Sequence, residues 1–261
     1  MTATPPAGRI VWRTATVASV TAETARTRTV VFDIPGWTGH RAGQHVDVRL
    51  TAEDGYQTER SYSIASAPAD PQVALTIERL EDGEVSPYLT GELRPGDVIE
   101  LRGPIGGYFV WDIESGGPLF LVGGGSGIVP LMAMIRHRRA SLAKTPDAAA
   151  SLRTRLLYSS RAWEEIIYRE ELARLAAEDQ TLEVVHTLTR SAPEGWPGYR
   201  RRIDRGMLAQ TAWPANESPR VFVCGPTSLV ESVANVLVEL GHQPALVKTE
   251  RFGPSGSSVP Q

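Results

Sequence analysis

From Arg9 to about Gly106, short runs of apolar and β-branched residues alternate with turns that contain Gly, Pro and Asp. Little helical periodicity lies between these runs, and short runs at such spacing are typical of β-strands in a barrel or sandwich. We therefore predict an antiparallel β domain, barrel or sandwich, over residues 8–112. Its six predicted strands are RIVWRTATVASV, TRTVVFDI, QHVDVRL, RSYSIAS, VALTIERL and DVIELRG.

One segment of this domain, SPYLTGEL at 86–93, has a helical rather than an extended pattern. Ser86 is a residue type that is favoured at the N-cap, and Pro87 is favoured at the first helical position. A short helix is predicted to begin there, with Ser86 as its cap.

After the turn-rich SGGP at 115–118, strand and helix patterns alternate. LFLV (119–122) is wholly apolar, as expected of a strand buried on both faces, and the following IVPLMAMIRHRR is apolar at helical spacing. The alternation continues through RTRLLYSS, EEIIYREELARLAAE, LEVVHTLTR, RIDRGMLAQ, RVFVCG, SLVESVANVLVEL and ALVKTERF. It predicts βαβ units around a parallel sheet. We place this Rossmann-like α/β domain at residues 116–252 and expect a flexible tail at 253–261.

Composition narrows the functional classes. The chain has 261 residues and a formal net charge of −3, so no basic field over the whole molecule points to nucleic acid or an anionic membrane. No apolar run is long enough to span a bilayer, and the start lacks the pattern of a signal peptide. One cysteine cannot form a disulfide framework or hold an iron–sulfur cluster, and the histidines lack metal-ligand spacing. We expect a cytoplasmic monomer that binds no metal.

A glycine-rich turn, GGGSGIVP at 123–130, lies between the first parallel strand and its helix. Such a turn leaves backbone N–H groups free and directs a helix N-terminus at an anion, typically a pyrophosphate. The turn matches neither GxGxxG nor GxSxG, because Ile128 stands where glycine is required, and it lacks the Lys-Ser/Thr pair of a Walker loop. The alternative is a tight strand–helix crossing without a ligand; we favour phosphate binding.

The second parallel strand ends in Ser160 and Arg161, a hydroxyl and a guanidinium. In dinucleotide-binding sheets an acidic residue at this place prefers the free 2′-hydroxyl of the adenosine ribose. A guanidinium instead suits a 2′-phosphate, which it binds through paired hydrogen bonds. The alternative is that Arg161 pairs with Glu164 or Glu165 at an ordinary helix start, and the sequence leaves both open.

CGP at 224–226 closes another buried strand of the parallel sheet. A lone cysteine on a strand is more often a small core residue than a functional one. Because ligands bind at the carboxyl ends of strands in open α/β sheets, the position of Cys224 nevertheless favours a role in the site. In the next helix, Ser228 and Glu231 could form a capping box.

Five motifs in this order resemble those of the ferredoxin–NADP reductase superfamily, and the likeness covers nearly the whole chain. RSYSIAS (60–66) resembles its flavin-binding RxYS strand, GEVS (83–86) its GxxS flavin-pyrophosphate motif, and GGGSGIVP its GGxGxxP dinucleotide loop. CGP and the closing run Glu250-Arg251-Phe252 complete the set. The stretch 158–172 is similar to that of diflavin cytochrome reductases, whose cofactor is NADPH.

The resemblance implies a flavin site on the barrel. Arg60 would pair with the flavin pyrophosphate, Tyr62 would lie against the isoalloxazine ring, and Ser63 would hydrogen-bond near N5, the atom that receives hydride. The helix capped by Ser86 would direct its dipole at the same pyrophosphate. The remaining flavin contacts are expected from Ser61, Gly83, Val85 and Ser86.

The resemblance also implies a nucleotide site on the α/β domain. The residues expected around its pyrophosphate are Gly123, Gly124, Gly125, Ser126 and Gly127. Those expected at its 2′-phosphate end are Ser160, Arg161 and Tyr168, and those beside the nicotinamide are Cys224, Gly225 and Pro226. The catalytic group would comprise Ser63, Cys224, Glu250 and Phe252. Phe252 would cover the flavin face that the nicotinamide must reach.

By this resemblance the protein is a flavin-dependent oxidoreductase that transfers hydride from NADPH, rather than NADH, to bound FAD, rather than FMN. No second redox centre is encoded, so single electrons would pass to a separate acceptor. A ferredoxin, a flavodoxin, or a haem or molybdenum oxidoreductase subunit would suit. Two alternatives remain: a reductase that releases reduced flavin as its product, and a non-catalytic flavin- or nucleotide-binding module that regulates a partner.

Overall fold

The six β-rich runs form six antiparallel strands. In the computed structural model, which describes residues 10–145 and 151–252, they are β1 (Trp12–Ala22), β2 (Thr27–Asp33), β3 (His45–Thr51), β4 (Gln57–Ser63), β5 (Val73–Glu78) and β6 (Val98–Ile105). Their order across the sheet is β4-β3-β6-β1-β2-β5. A bridge between Ile64 and Leu75 joins the two outer strands, so the sheet closes into a barrel.

Strand β5 is buried on both faces, unlike a strand of a barrel that faces water. Val73, Leu75 and Ile77 point into the barrel core. Ala74, on the opposite face, belongs instead to an apolar cluster of the second domain. Because side chains alternate along a strand, the outer face of β5 is the surface on which the second domain packs.

The short helix of the barrel domain, α1 (Ser86–Gly91), lies where the sequence predicts it, but its predicted cap is wrong. The residue that precedes the helix is Val85, and no side chain caps the helix. Ser86 is the first helical residue, and its hydroxyl accepts a hydrogen bond from the backbone N–H of Leu80 at 3.0 Å. Ser86 therefore fastens the preceding turn.

The second half forms five parallel strands with helices between them. The strands are β7 (Leu119–Gly124), β8 (Thr154–Ser160), β9 (Leu182–Leu188), β10 (Arg220–Pro226) and β11 (Val247–Phe252), in the order β11-β10-β7-β8-β9. The helices are α2 (Ile128–Leu142), α3 (Arg169–Glu178), α4 (Arg205–Thr211) and α5 (Thr227–Glu239). Leu119 and Leu121 pack in one apolar cluster and Phe120 and Val122 in another, so β7 is buried on both faces as predicted.

Two helix starts differ from the sequence prediction. The run that begins at Glu164 is first a short 3₁₀ turn, and α3 begins only at Arg169, because Tyr168 takes a left-handed backbone conformation with φ 58°. The capping box at the start of α5 is absent: no side chain caps that helix, and Glu231 pairs instead with Arg251 at 2.6 Å.

The two domains meet through polar and aromatic contacts. Tyr168 donates a hydrogen bond to Thr76 of β5. Arg136 of α2 donates to the carbonyl of Ala65 at 2.7 Å. The rings of Phe109 and Phe222 lie edge to face with centroids 5.3 Å apart. The end of β4 is thereby held against the parallel sheet. Among residues 10–145 and 151–252, no helix combines the length and the hydrophobicity that crossing a membrane requires.

The α/β domain depends on a buried arginine, Arg138, that is 1% exposed. Its guanidinium donates to the carbonyl of Leu152 at 2.7 Å, pairs with Asp179 at 2.5 Å, and donates to the hydroxyl of Thr181. These contacts join α2 to the chain before β8 and to the turn before β9. The Leu152 carbonyl, the Asp179 carboxylate and the Thr181 hydroxyl would each lose a partner if the Arg138 side chain were removed.

We predict that Arg138→Ala lowers the free energy of unfolding by about 3–5 kcal/mol, because removal of one partner leaves buried polar groups unpaired. Arg139→Ala is the matched control: its neighbouring guanidinium is half exposed and pairs with Glu178. The free energy of unfolding of that variant should fall by less than about 1 kcal/mol. Urea denaturation measures both, and equal losses would contradict the role of Arg138.

Candidate active site

The candidate site is drawn from the end of β4 and from the carboxyl ends of β10 and β11, which border one apolar cluster. Cys224 pairs with Glu250 across those two parallel strands, and with Gly123 of β7 on its other side. Ala65, two residues after Ser63, belongs to the same apolar cluster as Cys224, and Phe252 packs against that cluster. The structure therefore brings one end of each domain to a common place.

Ser63 is the last residue of β4 and is buried. Its hydroxyl has no hydrogen-bond partner among the described residues. A buried hydroxyl without a partner costs free energy, so a group that supplied the partner would be stabilised there. This orphaned hydroxyl fits the predicted contact with a flavin ring nitrogen.

Arg60 and Tyr62 lie on one face of β4, opposite Val48 and Val46 of β3. Arg60 is exposed, and its guanidinium donates only to the carbonyl of Glu59, so its charge has no ion-pair partner among the described residues. Tyr62 is half-buried, and burial raises the pKa of its phenol to about 12, against a smaller opposing effect of Arg60. A free cation beside a flat, neutral ring suits a pyrophosphate beside an isoalloxazine.

Two residues predicted to contact the flavin have side chains that are engaged within the barrel domain. The hydroxyl of Ser61 donates to the Asp47 carboxylate at 2.6 Å. Val85 is 1% exposed and packs in the barrel core. The contacts of both residues with a flavin stay predictions.

The GEVS turn is fixed beside that surface. The carboxylate of Glu84 accepts hydrogen bonds from Thr58 at 3.1 Å and from Tyr56 at 3.3 Å, both on the face of Arg60. Gly83 donates its N–H to the carbonyl of Leu80, and an added Cβ at Gly83 would lie 2.9 Å from the Ser86 hydroxyl. The motif residues Gly83 and Ser86 therefore touch each other and shape the turn.

The glycine loop packs closely on its neighbours at some positions and is accessible at others. A Cβ on Gly127 would lie 2.2 Å from the carbonyl oxygen of Cys224, and one on Gly124 would lie 2.7 Å from a methyl of Leu229. These glycines, with the buried Gly123, allow the loop to contact β10 and α5. Gly125, at φ +55°, and Ser126 are only half-buried.

The first turn of α2 follows directly, and no side chain caps it. The N–H groups at the start of a helix lack partners within the helix. Beside the accessible Gly125 and Ser126, they are positioned to bind an anion such as a pyrophosphate.

At the end of β8 the structure separates the two predicted 2′-phosphate residues. Arg161 is exposed, and its guanidinium forms no ion pair with Glu164 or Glu165 in the described parts of the chain. Ser160 is buried beside the Tyr158 phenol, on the other face of the strand. The predicted contact of Ser160 with the phosphate stays a prediction, whereas the exposed guanidinium of Arg161 is accessible to a phosphate.

Sequence reasoning missed Arg190, which follows β9. Its backbone N–H donates to the carbonyl of Arg161 at 2.9 Å, and the N–H of Ser191 donates to the same oxygen at 3.2 Å. Arg190 is exposed, and no partner of its guanidinium is found in the described ranges. The signal was present in the sequence, because Thr189-Arg190 ends one parallel strand as Ser160-Arg161 ends its neighbour.

Tyr168 is not a nucleotide residue in this structure. Its side chain is 2% exposed, its hydroxyl is bonded to Thr76 of the barrel, and Arg136 lies over its ring at 4.9 Å. The left-handed backbone at Tyr168 turns the side chain into the seam between the domains. The expected cofactor contact is therefore replaced by a structural contact between domains.

Cys224 is more deeply placed than the sequence predicts. It is fully buried, and its sulfur lies 4.0 Å from a carboxylate oxygen of Glu250. Burial, followed by the Glu250 charge, raises the pKa of the Cys224 thiol, so the side chain remains a neutral thiol. It is suited to pack against a ring and is not an activated nucleophile.

Glu250 and its neighbours surround this thiol. Burial raises the pKa of Glu250 to about 7, so its carboxyl is divided between the acid and the carboxylate near neutral pH. Phe252 is half-buried and pairs along the strands with Pro226, which is exposed. An added Cβ at Gly225 would lie 3.1 Å from the carbonyl oxygen of Gly124, so the CGP turn and the glycine loop pack closely.

Comparison with known proteins agrees with this geometry. Residues 14–110 match the oxidoreductase FAD-binding domain family, and residues 121–235 match the oxidoreductase NAD-binding domain family. Ferredoxin–NADP reductase B of Sorangium cellulosum is 36% identical over 220 residues, which cover 81% of this chain and 84% of that protein. The glycine betaine monooxygenase reductase subunit of Pseudomonas aeruginosa is 32% identical over 241 residues, covering 91% of this chain but only 63% of that protein's length.

Solved structures share the fold. The cytochrome P450 reductase GcoB of Amycolatopsis has a TM-score of 0.78 at 26% identity, over 96% of this chain and 74% of that chain. The flavohem-like FAD/NAD-binding domain of nitric oxide dioxygenase from Vibrio cholerae has a TM-score of 0.79 at 24% identity. The match covers 93% of this chain and 99% of that chain.

An FAD-binding barrel followed by an NAD-binding α/β domain defines the class: the chain is a flavin-dependent oxidoreductase of the type that uses a nicotinamide dinucleotide. Within that class it belongs to the ferredoxin–NADP reductase family. The resemblance drawn from the five sequence motifs is confirmed.

The raised pKa of Glu250 predicts a pH-dependent stability. Because the folded protein holds this proton more tightly than the unfolded chain, the free energy of unfolding should fall as pH rises from about 4.5 to about 7 and level off above. Each unit of pKa displacement corresponds to about 1.4 kcal/mol. Between pH 5 and pH 8, the free energy of unfolding of Glu250→Gln should rise relative to that of the parent by on the order of 1–3 kcal/mol.

Urea denaturation at the two pH values measures this difference. Glu194→Gln, at an exposed position, controls for loss of a carboxyl group as such. The same pH dependence in both variants would show that the proton bound on folding is not at Glu250.

Proposed function

We propose that this chain transfers hydride from NADPH to bound FAD and passes single electrons to a separate protein acceptor. The observation that carries the proposal is a shared apolar cluster, which contains Cys224 of β10 and Ala65, two residues beyond the orphaned hydroxyl of Ser63. Ala65 belongs to the FAD-binding domain and Cys224 to the NAD-binding domain, so a flavin and a nicotinamide held by these domains would meet there.

When bound, the FAD supplies the hydride acceptor and the capacity to release electrons singly. The chain's own residues position it: Arg60 offers an unpaired charge to the pyrophosphate, and Tyr62 offers a flat ring. Ser63 offers the hydroxyl that lacks a partner. Phe252 covers the place that a nicotinamide ring would take and must move for the ring to enter. Because its carboxyl titrates near neutral pH, Glu250 can hold or release a proton beside this place.

The proposed acceptor is a small electron-transfer protein such as a ferredoxin. Relatives named reductase subunits or ferredoxin reductase components support this choice. The seam beside the site is also cationic: Lys248 donates to the carbonyl of Val110 at 3.2 Å and lies 6.0 Å from the ring of the exposed Tyr108. Burial, and then the nearby Arg41 and Arg220, lower the pKa of Lys248. Converging cations around an exposed aromatic ring suit an acidic partner.

The first test is loading and reduction of the flavin. The purified protein should retain FAD through gel filtration, and NADPH should bleach the bound flavin without oxygen. Arg60→Ala should bind FAD roughly 10- to 100-fold more weakly, because a hydrogen bond to a charged group contributes about 1.5–3 kcal/mol. Arg174→Ala, at an exposed position on α3, is the matched control.

Two outcomes would contradict this proposal. Loss of flavin during gel filtration together with turnover of added free flavin would favour the reductase that releases its flavin. Stable flavin that NADPH and NADH both fail to reduce would favour the non-catalytic module. Assay of the reduced protein against a panel of ferredoxins and flavodoxins, with ferricyanide as a small-molecule control, then identifies the acceptor.

We predict a preference for NADPH that is carried by two arginines, Arg161 and Arg190. Each presents an exposed guanidinium at the end of neighbouring parallel strands, where a 2′-phosphate can accept paired hydrogen bonds. Replacing either with alanine should lower kcat/KM for NADPH roughly 10- to 100-fold, and the double variant further, because each lost contact costs about 1.5–3 kcal/mol. NADH lacks the phosphate, so it serves as the internal control and should change little.

Equal use of both cofactors by the parent would refute the preference. A proportional loss of both cofactors in the variants would show that the arginines support the loop rather than bind the phosphate. The exposed Glu164 and Glu165 provide a further check, since their replacement with glutamine should strengthen use of NADPH if they oppose the phosphate.

A further inference from the structure

Tyr56 is a large aromatic side chain that the protein's own core does not bury. It directly precedes β4 and is 56% exposed. Its hydroxyl donates to the carboxylate of Glu84 at 3.3 Å, and Thr58 donates to the same carboxylate at 3.1 Å. Glu84 thus accepts from both side chains, and the hydrogen bond from Tyr56 orients its ring on the surface.

Tyr56 continues the row of side chains that carries the proposed flavin site. Side chains alternate along an extended chain, so Thr58, Arg60 and Tyr62 share one face of β4. The contact of both Tyr56 and Thr58 with Glu84 places Tyr56 on that face as well. Tyr62 lies six positions after Tyr56, a span of about 20 Å along an extended chain. Arg60 lies between them.

This order along the strand matches the order of parts in FAD. The isoalloxazine ring and the adenosine lie on opposite sides of the pyrophosphate. With the isoalloxazine at Tyr62 and the pyrophosphate at Arg60, the adenosine of an extended FAD would extend towards Tyr56. An exposed aromatic ring is a stacking platform for a base.

A second exposed apolar side chain lies across the same turn. Leu80 is 60% exposed, its N–H donates to the Ser86 hydroxyl at 3.0 Å, and its carbonyl accepts from the N–H of Gly83 at 3.0 Å. Tyr56 contacts the same turn through Glu84. The turn at 83–86 therefore lies between an exposed ring and an exposed aliphatic side chain, a surface that favours a flat, weakly polar ligand.

We propose that Tyr56, together with Leu80, forms the subsite for the adenine ring of FAD and is the residue that selects FAD over FMN. The inference rests on the flavin site proposed above. FMN shares the isoalloxazine and the first phosphate but has no adenosine. Contacts at Tyr56 therefore strengthen the binding of FAD alone.

Separate titrations of the flavin-free protein with FAD and with FMN test this inference, with the flavin fluorescence as the readout. Tyr56→Ala should weaken FAD binding roughly 5- to 150-fold, the range found when a stacked aromatic is removed from a base. It should change FMN binding by less than about twofold, because no contact to FMN is lost. Tyr56→Phe keeps the ring and should retain most of the preference for FAD.

Val238→Ala is the matched control, because Val238 is another exposed apolar side chain, 42% exposed, and lies on α5 outside this surface. It should leave both affinities unchanged. Equal weakening of FAD and FMN by Tyr56→Ala, or unchanged binding of FAD, would overturn the adenine subsite and leave the flavin site itself standing. A parent protein that binds neither flavin would overturn the proposed function and the subsite together.

Discussion

A hydrogen bond between Tyr168 and Thr76, buried in the seam, determines how the two sheets of this protein meet. The left-handed backbone at Tyr168 costs free energy for a residue with a side chain, and it persists because the surroundings hold it. Thr76 also shares a hydrogen bond of 2.8 Å with Thr29 on the outer face of the barrel, and the Arg136 guanidinium lies over the tyrosine ring. Polar groups that satisfy one another away from water resist replacement by solvent, so the contact fixes the relative position of the domains.

The candidate site follows from that position. Arg136 reaches the carbonyl of Ala65, just beyond the end of β4, while its other nitrogens pair with Glu171 at 2.6 Å. The strand that carries Arg60 and Ser63 is thereby held against the sheet that carries Cys224 and Glu250. On the proposed function, the reaction site would be built from both domains, whose residues are separate in sequence and are brought together by the contacts in the seam.

The sequence predicted both sheets, their strands and the place of each motif, because these depend on period-2 alternation, apolar runs and glycine turns that are local in the chain. Prediction from the sequence failed where a side chain can lie on either face of its element or can bind more than one partner. Ser61 and Val85 stand inside the recognised motifs, yet the Ser61 hydroxyl bonds to Asp47 and the Val85 side chain packs in the barrel core. The position of Tyr168 was not predicted for a related reason, because a left-handed backbone conformation cannot be recognised from a helical sequence pattern. The contacts of Arg190 depend on two strands that end side by side, which only the fold establishes.

One backbone contact joins the glycine loop to the end of β10, at Gly127 and the carbonyl of Cys224. This contact explains why the loop needs glycine at that position. The carbonyl of Cys224 leaves room at position 127 for hydrogen alone, so the loop lies directly on the end of β10. The accessible part of the loop, Gly125 and Ser126, is therefore fixed relative to the Cys224 thiol and its neighbour Glu250. A pyrophosphate held by the loop would thus be positioned by the same packing that positions the thiol. Binding of a dinucleotide at the loop would in this way align its other end beside the thiol.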